Sequence, residues 1–189
     1  HVKVAFTGCS NDCAKVRMAD FGIIGMTEPQ YDPNRCVACE QCIKYCKKRS
    51  VDALSLVNGK IVRDTKKCIG CGVCITYCPT RAWTRSKEHY FRLVILGRTG
   101  KRNPRLAEDF IKWCDEESIL KIAANTYAYI EEYIDPEAVE NKEHIGYIVD
   151  RTGFEKFKEY IFRDVSLSEK AEVAQEVYWG GKHYDRYGG

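Results

Sequence analysis

Ten of the eleven cysteines in this 189-residue chain fall into short clusters whose spacing is suited to chemistry. Residues 36–46 read CVACEQCIKYC and residues 68–79 read CIGCGVCITYCP, each a C-x2-C-x2-C-x3-C run. A further pair, Cys9 and Cys13, lies in TGCSNDCAKVRMADFGI, directly after the apolar stretch VKVAF. Three thiols crowded into a few residues suit a metal centre better than a set of disulfides, whose geometry needs separated and correctly aimed partners. Gly70 and Gly72 ease the backbone around the second run. Zinc also takes paired cysteines and is the alternative, although two identical four-cysteine runs exceed what a zinc site readily explains.

The double run resembles the two-cluster bacterial ferredoxins, in which three cysteines of a run and the last cysteine of the other run hold each cubane. The likeness extends over residues 31–83. It implies one 4Fe-4S cluster on Cys36, Cys39, Cys42 and Cys78 and a second on Cys68, Cys71, Cys74 and Cys46. Between the runs, apolar stretches flank Asn58-Gly59, a strong two-residue hairpin signal. Lys47 stands where the first run would usually carry proline, which loosens the turn after Cys46 without removing a ligand. The basic groups at 47–49 and 66–67 are solvated faces, a balance to cluster charge, or a docking site for an acidic partner.

The segment 7–23 resembles the iron–sulfur and sirohaem signature of the nitrite and sulfite reductase family, through Thr7, Gly8, Cys9, Cys13, Asp20, Phe21, Gly22 and Ile23. The resemblance implies that Cys9 ligates a further 4Fe-4S cluster. It also implies that Cys13 bridges that cluster to the sirohaem iron, which makes Cys13 the residue assigned to catalysis. Asn11, between them, is counted with the cofactor contacts. The family's earlier C-x5-C pair has no counterpart here, so those ligands are expected upstream of His1. The chain itself is expected to be part of a longer protein and inactive alone. The remaining cysteine, Cys114, is read as a buried structural thiol, with Leu106, Phe110 and Cys114 on one face of a helix.

The elements that must position these groups follow. VKVAF and YFRLVIL read as strands. GRTGKRNPR (97–105) is a glycine-containing basic turn that would cradle sirohaem carboxylates through Arg98, Lys101, Arg102 and Arg105, or else a solvated loop with Pro104 near a helix start. Residues 105–134 read as mostly helical, and HIGYIVDRTGFEKFKEYIF as strand, turn and helix. The tail from Trp179 is expected to be mobile or to pack on a partner. The fold class is α+β. Residues 1–30 and 84–189 form part of a sirohaem-reductase α/β domain, and residues 31–83 are an inserted ferredoxin-like module.

Composition bounds the rest. The hydrophobic fraction of 44% and charged fraction of 30% are those of a globular protein, and a net charge of +3 is too small to argue for nucleic acid. No apolar run reaches membrane-spanning length and no signal peptide opens the chain, so a cytoplasmic location is expected. The resemblance implies six-electron reduction of sulfite or nitrite, with iron–sulfur and flavin subunits as electron donors. The rivals are a non-catalytic iron–sulfur electron carrier on a reductase-like scaffold and a cluster-based redox sensor.

Overall fold

The computed structural model describes residues 2–99, 104–138 and 143–177. In chain order the elements are β1 (Val4–Thr7), a 3-10 turn (Val16–Met18), β2 (Phe21–Met26), β3 (Pro29–Tyr31), α1 (Gln41–Lys48), β4 (Leu54–Val57) and β5 (Lys60–Arg63). Then follow α2 (Val73–Thr76), β6 (Trp83–Arg85), β7 (Tyr90–Ile95), β8 (Glu108–Cys114), α3 (Glu116–Tyr133), α4 (Ile145–Thr152), α5 (Phe154–Ile161) and β9 (Glu172–Val173). They divide into two compact units: residues 1–8, 12–24 and 90–189, and residues 9–11 and 25–89.

The first unit is built on a sheet in the order β1-β2-β7-β8-β9, with β1 parallel to β2 and β8 antiparallel to both β7 and β9. Strand β7, YFRLVI, is almost wholly buried, as its run of β-branched and aromatic residues demands. Its Leu93 and Ile95 join Phe110 and Ile111 of β8 in a core completed by Ile119, Ile122 and Tyr129 of α3 and by Ile148, Phe157 and Ile161 of the two later helices. Each such side chain contributes about 1.5–3 kcal/mol when fully buried.

Two expectations fail in this unit. Residues 108–114 form a strand, so Phe110 and Cys114 share a bulged strand rather than a helix face, and Pro104 precedes a strand. The register explains why the spacing misleads. Phe91 pairs Cys114, Leu93 pairs Ile111 and Val94 pairs Asp109, so β8 carries an extra residue at each of two bulges. Each bulge resets the two-residue alternation, and Phe110, Ile111, Trp113 and Cys114 are all buried. The helix begins only after Asp115, whose carboxylate accepts the Ser118 N–H at 2.8 Å, with Glu116 and Glu117 favourably placed in the first turn. The expected strand at 144–149 is helix α4, with Ile145, Ile148 and Val149 buried at helical spacing and Gly153, at φ 95°, separating α4 from α5.

The second unit has two small antiparallel ladders. β3 pairs β6, with Tyr31 opposite Trp83, and β4 pairs β5. The β4–β5 turn is Asn58-Gly59, both at positive φ (49° and 73°), as a tight two-residue hairpin requires. Helix α1 begins after Glu40 (φ 57°, ψ 9°) and α2 after Gly72 (φ 69°, ψ 7°), the same left-handed entry at equivalent points of the two cysteine runs. Two residues earlier in each run, Ala38 (φ 52°) and Gly70 (φ 64°) also match. The two runs are therefore conformational repeats. They differ in length: α1 runs through Cys46 to Lys48, whereas α2 stops at Thr76, ahead of Cys78-Pro79. Proline disfavours helix in the residue before it and brings no N–H, so Lys47 extends a helix rather than loosening a turn. Among the described residues no helix is long and apolar enough to cross a membrane.

Candidate metal centres

A pocket in the second unit is lined by Cys36, Cys39, Cys42 and Cys78 together with Ile61, Pro79 and Trp83. Three of these thiols come from the first run and one from the second. The left-handed residues Ala38 and Glu40 curl the first run around the cavity, and α1 carries Cys42 on its inward side. Burial pushes the Cys42 thiol up, and the charges of Cys78 and Cys36 add to the effect. Burial acts the same way on Cys78, but the N–H groups of Trp83, Ala82 and Thr80 and the Thr80 hydroxyl outweigh it, leaving Cys78 below the ordinary thiol range. The Ala82 N–H lies 3.2 Å from its sulfur.

The other four cysteines form a second neighbourhood. Burial raises Cys46, and the charges that act on it next are those of Cys71 and Cys68. Cys74 is pushed up to about 12 by burial and by Cys68 and Cys71. The Ala53 N–H donates to Cys46 Sγ at 3.3 Å, repeating the Ala82–Cys78 contact. Buried thiols such as Cys42, Cys46 and Cys74, held beside other thiols, are a poor arrangement for bare sulfur. They become favourable when a cation centre takes the negative charge, which is the usual coupling of deprotonation to metal binding.

A zinc ion draws its sulfurs to about 2.3 Å from one point. Four thiols, three from one run and the last from the other, line one pocket in the pattern that a cluster supplying its own sulfide takes. A second sign comes from Trp83: its indole Nε1 is buried, has no hydrogen-bond partner among the described residues, and belongs to a side chain that lines the same cavity.

Cys9 and Cys13 are both exposed. Asn11 accepts a hydrogen bond from the Arg49 guanidinium, and Ser10 Oγ donates to the Ile69 carbonyl at 2.5 Å. Asp20, from the same signature, is buried in the first unit, where it accepts the Lys3 N–H at 2.9 Å and faces His144 Nδ1 at 2.9 Å.

The basic turn differs from an open cradle. Arg98 and Arg105 exchange backbone hydrogen bonds at 2.8 and 2.7 Å, and both guanidinium groups turn inward. Arg105 Nη1 reaches both carboxylate oxygens of Asp150, at 2.9 and 3.1 Å, and its Nε donates to the Leu96 carbonyl. Arg98 reaches Asp150 at 3.4 Å and lies 3.8 Å from the centre of the Tyr147 ring. Burial demands these partners, because a guanidinium removed from water must be paired. Lys101 and Arg102 lie outside the described residues, as does the tail. Asp150, Tyr147 and Trp83 carry no motif and were not legible as site residues. The only hint was the Ala82-Trp83 step closing the second cysteine run.

Residues 1–170 match the nitrite and sulphite reductase 4Fe-4S domain, and the chain belongs to that family. Among curated proteins it is similar to one of the subunits of anaerobic sulfite reductase, from Salmonella typhimurium and from Salmonella typhi. It is 41% identical to each over 179 residues, which is 95% of this chain and 52% of theirs. The chain thus spans about half the length of these relatives. In fold it resembles a crystal structure of dissimilatory sulfite reductase I, with a TM-score of 0.61, 16% identity, and coverage of 95% of this chain and 46% of that one.

Proposed function

We propose that the chain is the electron-delivering and sirohaem-facing part of a sulfite reductase, and that its cysteine-rich unit is a ferredoxin-like module with two 4Fe-4S clusters. The ligand sets are Cys36, Cys39, Cys42 and Cys78, and Cys68, Cys71, Cys74 and Cys46. The observation that carries this reading is the cavity lined by three thiols of one run and the last thiol of the other. When bound, the clusters supply one-electron storage, and sirohaem supplies the iron at which sulfite, or alternatively nitrite, is reduced by six electrons.

The chain's own residues hold and tune these groups. Ala82 and Ala53 direct N–H groups at the fourth ligand of each set, which stabilises the thiolate form. Ala38, Glu40, Gly70 and Gly72 give both runs the same left-handed turns, a conformation that aims successive backbone N–H groups at a negative centre. By the signature in 7–23, Cys9 would hold a third cluster in the complete protein and Cys13 would be shared between that cluster and sirohaem. Arg98 and Arg105 anchor the basic turn through Asp150. The relatives' names point to sulfite as the substrate and to partner subunits, which in this reading would supply the electrons.

Cys13→Ser in the full-length protein tests the reductase assignment. Loss of sulfite reduction and of magnetic coupling between haem and cluster, with the iron of the other two clusters retained, is the expected result. Unchanged coupling and activity would overturn the bridging role and favour a plain electron carrier.

A further inference from the structure

We infer that Trp83 distinguishes the two clusters: its indole N–H donates to sulfur at the Cys36/Cys39/Cys42/Cys78 centre and holds that centre at a higher potential than its neighbour. The inference rests on the two-cluster reading above.

Trp83 is 3% exposed, and its Nε1 has no hydrogen-bond partner among the described residues. A buried donor left unpaired is costly, and such groups in native proteins generally mark a missing acceptor. The side chain lines the four-cysteine cavity. It falls short of hydrogen-bonding geometry to Cys42 but lies close enough to favour the Cys42 thiolate. An inorganic sulfide or the cluster-bound thiolate of Cys42 would supply the acceptor.

The ring is held in place. Trp83 pairs with Tyr31 across the β3–β6 ladder, and the two rings pack with centroids 4.6 Å apart. The Tyr31 hydroxyl in turn accepts the Ile61 N–H at 3.1 Å.

The repeat exposes the asymmetry. Ala82 and Ala53 make the same N–H···S contact to Cys78 and Cys46. The residue after Ala82 is Trp83, and the residue after Ala53 is Leu54, which is equally buried but has no side-chain donor. Hydrogen bonds to cluster sulfur stabilise the reduced, more negative state and raise the potential. At this position one centre has a side-chain donor where the other has an apolar side chain.

The test is an EPR-monitored redox titration of the full-length protein, purified anaerobically, as wild type, Trp83→Phe and Trp83→Leu. Iron and sulfide contents are counted first. Phenylalanine keeps the contact with Tyr31 and removes only the N–H. The expected result is that both clusters of the cysteine-rich unit are loaded in each protein. The potential of one falls by the equivalent of about tenfold in its reduction constant, about 59 mV for one electron, and the other stays unmoved. A measurement on wild type needs no variant: 15N-labelled tryptophan should give a 15N hyperfine coupling to one reduced cluster. Two intact clusters with unshifted potentials, equal shifts in both, or no 15N coupling would overturn the inference while leaving the two-cluster reading standing. A wild type without two clusters would remove that reading itself.

Discussion

Tyr45 and Tyr77 occupy the same position in the two cysteine runs, one residue before the last cysteine of each, and their rings stack with centroids 3.5 Å apart and planes 9° from parallel. The sequence repeat is thus closed by an aromatic pair drawn equally from both halves. Lys48 Nζ stands 5.6 Å from the Tyr45 ring and adds a cation to the stack. Because each ring packs on the other, the pair couples the two ligand-bearing runs. A double-mutant cycle with Tyr45→Leu and Tyr77→Leu should give a coupling of about 0.5–1.5 kcal/mol in urea denaturation of the anaerobic protein. Strict additivity would show that the stack contributes nothing.

The left-handed turns make a prediction about glycine. Ala38 already adopts φ 52° where the second run has Gly70, so an L residue is tolerated there at a cost of about 1–2 kcal/mol. At Gly70 a methyl group would also meet Met26 Cβ at 2.8 Å and the Thr27 nitrogen at 3.2 Å, whereas at Gly72 the nearest atom is 3.5 Å away. Gly70→Ala should therefore destabilise the protein more than Gly72→Ala, and Ala38→Gly should be mildly stabilising, by up to about 1 kcal/mol once the extra chain entropy of glycine is subtracted. Thermal denaturation of the three variants side by side decides the order, and equal losses at positions 70 and 72 would refute it.

Asp150 is the shared counter-charge of Arg98 and Arg105, whose side chains are only 1% and 3% exposed. Removing one partner of a buried ion pair leaves uncompensated charge and typically costs about 3–5 kcal/mol. Asp150 itself is 31% exposed, so solvent screens part of the loss and the lower end is expected for Asp150→Ala. The urea midpoint of the variant measures it. A change below about 0.5 kcal/mol, the size of an ordinary surface substitution, would show that the guanidinium groups are held otherwise.

Cys114 is fully buried in β8, and burial, helped by the Asp115 charge, pushes its thiol from 9 up to about 12. In the unfolded chain the thiol ionises first as pH rises, so the folded state binds more protons over that window and stability falls with pH. The stability contributed by the buried neutral thiol is complete below pH 9 and is lost progressively toward pH 12. The stability advantage of wild type over Cys114→Ala should shrink over the same range, as followed by denaturant midpoints at successive pH values. An advantage independent of pH would contradict the burial of a neutral thiol.

The cysteine pattern was legible because few chemistries other than metal ligation call for that residue type at that spacing. Cysteines at fixed intervals and Asn58-Gly59 between apolar stretches each have few structural meanings, and both runs and the hairpin stand where the pattern put them. Strand β7 was equally clear from its unbroken apolar run. Strand β8 was hidden because its two bulges spoil the alternation and leave Leu106, Phe110 and Cys114 at a helix-like interval. Helix α4 was hidden by its shortness, since Ile145, Tyr147, Ile148 and Val149 read as a strand unless the burial of Ile145, Ile148 and Val149 is known. The inward turn of Arg98 and Arg105 depends on Asp150, 45 residues beyond Arg105. No local pattern announces such a partner. Trp83 was visible as a residue, but its role depends on which cavity its N–H faces.

The central claim is that eight cysteines hold two 4Fe-4S clusters, each completed by the last cysteine of the opposite run. The most direct measurement is the metal identity and the iron and acid-labile sulfide content of the anaerobically purified full-length protein, compared with its Cys46→Ser/Cys78→Ser double variant. The account predicts a wild type whose iron exceeds its acid-labile sulfide only by the sirohaem iron, and a variant that loses up to about eight of each, the content of two cubanes. Zinc in place of iron, or a variant with the same iron and sulfide as wild type, would contradict it.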